Sequence, residues 1–327
     1  MSQGALSVLT GSMAVIPLIG LTLMVLVLAL EAWPSIKLEG LHFLTSATWS
    51  IGNTYGTPVR TGGVLHAPGA SFGALYIIIG TLEASGIALL IGFPLAIGCA
   101  VIVVEKLPPR LSSVIGMALD TLAGIPSVIY GLWGFLTLGP FLSAHVYPVL
   151  AKLPNVPVLN IFRGNVSGEG LFTTGLVLAV MIVPIIAATS RDLLRQVPDT
   201  TKEGATALGM TPAEGFRSVQ YRWVRSGVVA AAILGLGRAL GETIAVAMVS
   251  GSEIALPHNI YGSMTTIAAT IVSQLDSAFT DPTMFAVKGL AEAALLLMLI
   301  TLIVNLAARL LVRKFSASTA LPVGAGF

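Results

Sequence analysis

Residues 226–250, SGVVAAAILGLGRALGETIAVAMVS, are the most informative stretch of the sequence. The stretch is apolar and long enough to cross a bilayer, because a helix of this length extends about 37 Å. It nevertheless places Arg238 and Glu242 near its middle, where each charge costs about 2.5–3.5 kcal/mol on insertion scales. Charges at such depth usually face a partner or a watery path. The stretch therefore predicts a membrane helix that carries a functional site.

The composition of the whole chain agrees with this interpretation. Of the 327 residues, 55% are hydrophobic and only 10% are charged, whereas soluble domains carry about 25% charged residues. A net charge of +2 is too small to favour nucleic acid as a partner. We therefore expect an all-α polytopic membrane protein, in contact with lipid.

Hydropathy predicts six transmembrane helices with both termini in the cytoplasm. This orientation places eleven of the 17 Lys and Arg residues inside, in keeping with the positive-inside rule. The segment 261–275 is apolar but short, and we interpret it as an external interfacial or re-entrant helix. The predicted spans are 13–33, 75–104, 114–142, 171–190, 226–250 and 288–312.

These spans suggest three parts of the chain. Residues 1–74 form an N-terminal transmembrane helix and an external loop, and residues 75–313 form the transmembrane core. The core includes a cytoplasmic coupling loop, residues 191–225, and residues 314–327 form a cytoplasmic tail.

The cytoplasmic loop carries signals for two short helices joined by a sharp turn. Thr200 with Glu203, and Thr211 with Glu214, fit the pattern of a capping box. Gly209 lies between them, where a left-handed residue at a helix end is least costly. Such a pair either packs on the protein's own helix ends or docks into another protein, and the pattern alone leaves both alternatives open.

Several site classes find no support in the sequence. There is no GxxxxGK[ST] motif, which argues against a nucleotide-hydrolysing loop in this chain, and the scattered histidines lack metal-ligand spacing. The glycines of residues 235–241 are misplaced for a dinucleotide fingerprint. Gly237 and Gly241 instead form GxxxG, which predicts close helix packing, and Gly235 with Ala239 repeats the spacing.

Four segments carry a resemblance to a known family. Glu203, Gly204 and Ala205, followed by Gly209, resemble the EAA loop of ABC-importer permeases, although Gly204 replaces an Ala and Arg222 stands where that pattern has Pro. The other three are similar to PstC-type permeases of phosphate importers. They are LAGIPSVIYGLW (122–133), LAVMIVP (178–184) and GLGRALGETIAV (235–246).

The resemblance implies a type I ABC-importer permease that translocates inorganic phosphate and is not itself an enzyme. Its partners would be a homologous PstA-type permease, a PstB-type cytoplasmic ATPase dimer and an external PstS-type phosphate-binding protein. ATP and Mg²⁺ would bind to the ATPase, so we expect no cofactor in this chain. The alternatives are a permease for another oxyanion or small nutrient, and an ATP-independent secondary transporter or channel.

Two sets of residues are candidates for function in such a permease. Glu203, Gly204, Ala205, Gly209, Thr211 and Glu214 would form the surface that couples to the ATPase. Arg238 and Glu242, four residues apart on one helix face, would form a switchable ion pair in the translocation path, or a static pair that fixes packing. Ser127 and Tyr130 follow Pro126 and either line the path or pack between helices.

Overall fold

The computed structural model describes residues 3–152, 167–256 and 259–317. Residues 153–166, between the predicted third and fourth spans, and the predicted tail beyond residue 317 lie outside the described residues. The helices are α1 Gln3–Glu39, α2 His42–Thr45, α3 Leu75–Val101, α4 Pro109–Ala123, α5 Ser127–Trp133, α6 Gly139–Phe141, α7 Tyr147–Leu150, α8 Leu171–Arg195, α9 Asp199–Ala207, α10 Pro212–Gly215, α11 Tyr221–Leu240, α12 Ile244–Val249, α13 Ile267–Ala278 and α14 Phe285–Ala317. The strands are β1 Trp49–Ser50, β2 Val59–Thr61, β3 Val64–His66 and β4 Ser71–Phe72.

Within the described residues, six helical stretches are long and apolar enough to cross a membrane, which confirms the predicted number. Short π-helical segments join several of the helices into these longer stretches. The six are Val15–Glu39, Leu75–Lys106, Ser127–Leu150, Leu171–Arg195, Pro212–Leu240 and Phe285–Leu310.

The prediction for the third span, residues 114–142, is wrong in its position. The helix α4 ends at Ala123, and a new helical stretch starts at Ser127 and continues to Leu150. Pro126 explains the break, because it lacks an N–H donor and disfavours helical backbone at Ile125. The helix α4, which covers the first part of the predicted span, has separate apolar and polar faces. It is therefore an amphipathic helix and not a uniformly apolar span.

The fifth span was also predicted wrongly, because residues 226–250 do not form one helix. The helix α11 ends at Leu240, and the six-residue helix α12 begins at Ile244. At its other end the helical stretch starts at Pro212, well before the predicted boundary. The apolar run is therefore divided by a break at residues 241–243.

The chain divides into two compact units. The first contains residues 1–76 and 271–299, and the second contains residues 77–270 and the chain from residue 300 onward. The predicted boundary after residue 74 lies close to the first division, but residues 271–299 group with the N-terminal segment.

The first unit contains two small antiparallel sheets and a capped helix start. Strand β1 pairs with β4, and β2 pairs with β3 across a turn in which Gly62 and Gly63 both have positive φ. At the start of α14, Asp281 accepts hydrogen bonds from the N–H groups of Thr283 (2.9 Å) and Ala286 (3.0 Å). This buried carboxylate thereby caps the helix.

The core of the second unit lies around α8, whose buried residues include Val177, Ile182 and Ile186. Glycines allow its neighbours to approach closely. A side chain at Gly235 on α11 would lie 2.6 Å from Ile186, and one at Gly134 would lie 2.6 Å from Val177. The same core includes residues of α5 and α12.

The segment predicted as an external helix, 261–275, starts later than expected. Residues 261–266 are not helical, and α13 begins at Ile267. The backbone N–H of Ile267 donates to the Thr81 hydroxyl (2.9 Å), and residues 264–270 are buried. Burial of this polar backbone within the protein favours the re-entrant interpretation over an interfacial helix.

Candidate functional site

The predicted coupling loop folds as a helix, a tight turn and the start of a long helix. The turn begins where α9 ends: the N–H of Gly209 donates to the carbonyl of Thr206 (2.9 Å), and that of Met210 donates to the carbonyl of Ala205 (3.2 Å). Gly209 has φ +75°, as this pattern of two hydrogen bonds requires. The predicted left-handed residue is thus confirmed at Gly209.

Only one of the two predicted capping boxes forms. Thr211 and Glu214 make the complete box, with the Glu214 carboxylate accepting from the Thr211 N–H at 2.9 Å. The box predicted at Thr200 and Glu203 is wrong, because α9 starts earlier, at Asp199 behind Pro198, and no side chain caps it. Pro198 fixes the entry of the chain and leaves Thr200 inside the first turn.

The sequence predicts that the second helix of the pair is short and separate, but the structure does not bear this out. This helix continues from Pro212 to Leu240 and so becomes a membrane-crossing helix. Arg222 lies within this stretch and is exposed. The residue that departs from the family pattern is therefore compatible with unbroken helix, whereas Pro would remove a backbone hydrogen bond there.

The coupling segment, residues 199–216, presents one face to the protein and another to its surroundings. Ala205 is buried, and a Cβ at the buried residue Gly215 would touch its methyl group at 3.6 Å. Glu203, Gly204 and Leu208 are exposed, and Leu208 is 78% accessible. This exposed face suits docking of another protein.

A network of charges ties the C-terminal end of α8 to α4. The Arg191 guanidinium is buried and donates to Asp120 (3.2 Å) and Asp192 (2.9 Å). It fits beside Gly116, where a Cβ would lie 2.6 Å from Arg191 Nη1. Because α8 leads directly into α9, this network connects α4 to the coupling segment.

The predicted helical pair of Arg238 and Glu242 does not form. The chain leaves the helix after Leu240, so the two residues do not share a helix face, and no ion pair among the described residues includes either of them. Glu242 is buried, and its carboxylate accepts a long hydrogen bond from the N–H of Ala245 (3.5 Å) at the start of α12. Arg238 is half-buried, and its Nε has no hydrogen-bond partner.

Arg238 lines a cavity of about 1150 Å³ in the second unit. The cavity is partly open and lies between α8, α11 and the part of α14 that follows residue 300. Its walls combine apolar and polar groups, including Ile185, Leu234, Gly237, Arg238, Asn305 and Arg309. Such a cavity can hold an anion or a polar headgroup next to an unpaired guanidinium.

The other two predicted path residues are not part of the cavity wall. Neither Ser127 nor Tyr130 lines this cavity. Tyr130 is buried in the core, and its hydroxyl donates to the Leu122 carbonyl (2.9 Å). That carbonyl also accepts from the N–H of Ile125 (3.2 Å), and it lacks the usual donor four residues on because residue 126 is Pro. This arrangement favours the packing alternative for Tyr130, and the path role of Ser127 stays a prediction.

The glycine pair predicted to pack helices faces open space. A Cβ at Gly237 would meet only Asn305 Oδ1, at 3.9 Å. A Cβ at Gly241 would meet only the backbone carbonyl of Gly237, at 3.6 Å, and so no other helix. The close helix contact is made on the other face of α11, by Gly235, with Ala239 also buried there. The packing role of Gly237 and Gly241 within this chain is therefore not supported.

Asn305 was missed as a candidate site residue. The sequence does contain a feature that could have identified it, because a single carboxamide within the apolar run of α14 is uncommon at membrane depth. Without knowledge of which helix lies opposite, the sequence could not connect it with Arg238.

Comparison with known proteins gives consistent results. Residues 92–317 match the family described as the binding-protein-dependent transport system inner membrane component. The chain is 58% identical to the phosphate transport system permease protein PstC 1 of Mycobacterium tuberculosis, over 97% of this chain and 95% of that protein. It is 38% identical to PstC of Haemophilus influenzae, over 93% of this chain and 91% of that protein.

Solved structures share the fold. A chain of the MetNI methionine ABC transporter in an inward-facing conformation aligns with a TM-score of 0.53 at 18% identity, over 73% of this chain and 96% of that chain. A chain of a bacterial alginate ABC transporter aligns with a TM-score of 0.51 at 16% identity, over 73% and 78% of the two chains. The chain thus belongs to the family of inner membrane components of binding-protein-dependent transport systems.

Proposed function

We infer that this chain is the membrane-spanning permease subunit of an ATP-driven importer of inorganic phosphate. The observation that carries the inference is the 58% identity, over nearly the full length, to a protein named as a phosphate transport permease. The coupling segment and the cavity beside Arg238 provide the two elements that such a subunit needs.

The permease works with other proteins in this proposal. A homologous PstA-type permease completes the pore, a PstB-type ATPase dimer binds ATP and Mg²⁺, and a PstS-type protein delivers phosphate from outside. The permease itself performs no chemistry on a substrate. This division of labour accounts for the lack of a P-loop motif in the sequence.

The coupling segment receives the motion of the ATPase. Its exposed face docks on the ATPase, while the contact between Ala205 and Gly215 holds α9 on the long helix. From Pro212 to Arg238 that helix extends about 39 Å. A push on α9 therefore reaches the level of Arg238 as a movement of one continuous helical element.

Arg238 supplies the charge that attracts phosphate inside the membrane. A guanidinium matches the geometry of oxyanions and stays charged when it loses water. Because no carboxylate pairs with it in the described residues, it is available to a passing anion without displacing Glu242. Glu242 is held by a long hydrogen bond from the N–H of Ala245 (3.5 Å).

Loss and restoration of the gene provide the test. A strain without this chain should take up labelled phosphate slowly at low concentration, and the wild-type chain should restore uptake. The Arg238→Gln variant should reach the membrane but restore little uptake, and Arg238→Lys should restore only part of it. Unchanged phosphate uptake in the deleted strain, together with lost uptake of another oxyanion, would assign a different substrate.

A further inference from the structure

Asn305 lies in the same cavity as Arg238, on the opposite helix. Its Oδ1 lies 3.9 Å from the position of a Cβ on Gly237, the residue before Arg238, so the carboxamide reaches the backbone of α11. A larger residue at 237 would fill this space. The glycine therefore leaves room for a small ligand between the guanidinium and the carboxamide.

Two of the polar groups that line the cavity, the Asn305 carboxamide and the Arg238 Nε, make no hydrogen bond within the described residues. No hydrogen bond of Asn305 is found in the described part of the chain, and Arg238 Nε is buried without an acceptor. Polar groups at membrane depth are costly unless they are paired with one another, with a ligand or with water. Two such groups on facing helices thus point to a ligand that binds both.

A carboxamide is a better partner for phosphate than for an oxyanion that carries no proton. Asn offers two N–H donors and one carbonyl acceptor. Inorganic phosphate near neutral pH carries acceptor oxygens and at least one P–OH donor, whereas sulfate carries acceptors only. A guanidinium alone does not make this distinction.

We propose that Asn305 binds the translocated phosphate together with Arg238, donating to one of its oxygens and accepting the hydrogen bond of its P–OH group. Arg309, one helical turn further along α14 and about 6 Å away along the axis, lines the same cavity and provides the next positive charge. Ile185 and Leu234 provide apolar walls of the same cavity. This inference rests on the proposed function.

The test compares Asn305 variants in the reconstituted complex of both permeases, the ATPase and the binding protein. Asn305→Leu removes the carboxamide at similar volume and should lower the maximal rate of phosphate import about tenfold or more. The KM should stay unchanged, because the binding protein sets it. Asn305→Gln keeps donor and acceptor and should recover part of the rate. Leu302→Ala, an exposed neighbour outside the cavity, should import at the wild-type rate.

A double-variant comparison identifies the shared ligand. If Asn305 and Arg238 bind the same ion, Asn305→Leu should reduce the rate much less in an Arg238→Gln background than in the wild type. Equal reductions in both backgrounds, or a wild-type rate for Asn305→Leu, would overturn the proposal. Loss of the second permease from the purified Asn305→Leu complex would also overturn it, by assigning Asn305 to subunit assembly.

The same phosphate chemistry occurs in lipid headgroups, so membranes of two compositions separate the sources. The Asn305→Leu defect should be equal in vesicles of phosphatidylcholine alone and in vesicles that contain phosphatidylglycerol. A defect confined to the anionic membrane would assign the cavity to a lipid headgroup instead. Failure of the wild-type complex to import phosphate at all would refute the proposed function, independently of Asn305.

Discussion

Replacing Gly209 isolates the role of one turn in energy coupling. The residue has φ +75°, and a Cβ built on it would meet no atom within 4 Å. Any substitution is therefore tolerated sterically by the surroundings, and its effect comes from the backbone alone. A β-branched side chain in this left-handed conformation costs about 1–2 kcal/mol.

We expect Gly209→Val to favour a turn without the two hydrogen bonds that end α9, from Gly209 to Thr206 and from Met210 to Ala205. A strain of about 1–2 kcal/mol changes the ratio of correctly folded to altered turn by a factor of about 5–30. Phosphate uptake and ATPase co-purification should fall, by at most this factor, while the amount of chain in the membrane stays the same.

Asparagine at the same position provides a matched control. It adds a polar side chain of similar size but adopts the left-handed conformation readily. Gly209→Asn should therefore retain most of the ATPase binding and uptake that Gly209→Val loses. Equal behaviour of the two variants would refute the reasoning, because it would show that the left-handed turn is not what the ATPase requires.

Three further predictions concern topology and stability. In a Cys99→Ala background, maleimide added outside should label Tyr55→Cys, fully exposed in the described structure, but not Leu208→Cys; labelling of Leu208→Cys would reverse the orientation. Asp281→Ala should lower the free energy of unfolding by about 1–2 kcal/mol. Burial raises the pKa of Asp281, but its hydrogen bonds from Thr283 and from backbone N–H groups outweigh burial and leave the pKa below 3.8. Its contribution should therefore persist above pH 3.8 and disappear as the pH falls through the lowered pKa, and a variant with the same acid denaturation curve as wild type would contradict the capping role. Arg191→Leu should destabilise the protein by about 1–3 kcal/mol in thermal unfolding, and an unchanged midpoint would show that its network is dispensable.

The sequence predicted the membrane class and the number of spans because hydropathy is summed over many residues. It misplaced boundaries where single residues decide them. Pro126 divides the predicted third span, and the break after Leu240 divides the fifth. Both breaks lie inside apolar sequence, where hydropathy does not distinguish helix from turn.

The candidate site was predicted only in part, because some of its features depend on local sequence and others on where helices break and how they pack. Gly209 and the Thr211–Glu214 box depend on local sequence and were confirmed. The ion pair of Arg238 and Glu242 assumed an unbroken helix and was wrong. Asn305 could not be connected with Arg238, since their proximity depends on how α11 and α14 pack.

The most direct test of the central claim is ATP-driven phosphate import by the purified complex in vesicles. With the binding protein outside and the ATPase and ATP inside, labelled phosphate should accumulate in the vesicles. Accumulation should stop when ATP or the ATPase is omitted. Phosphate accumulation by this chain alone, driven by an ion gradient, would contradict the account and establish a secondary transporter.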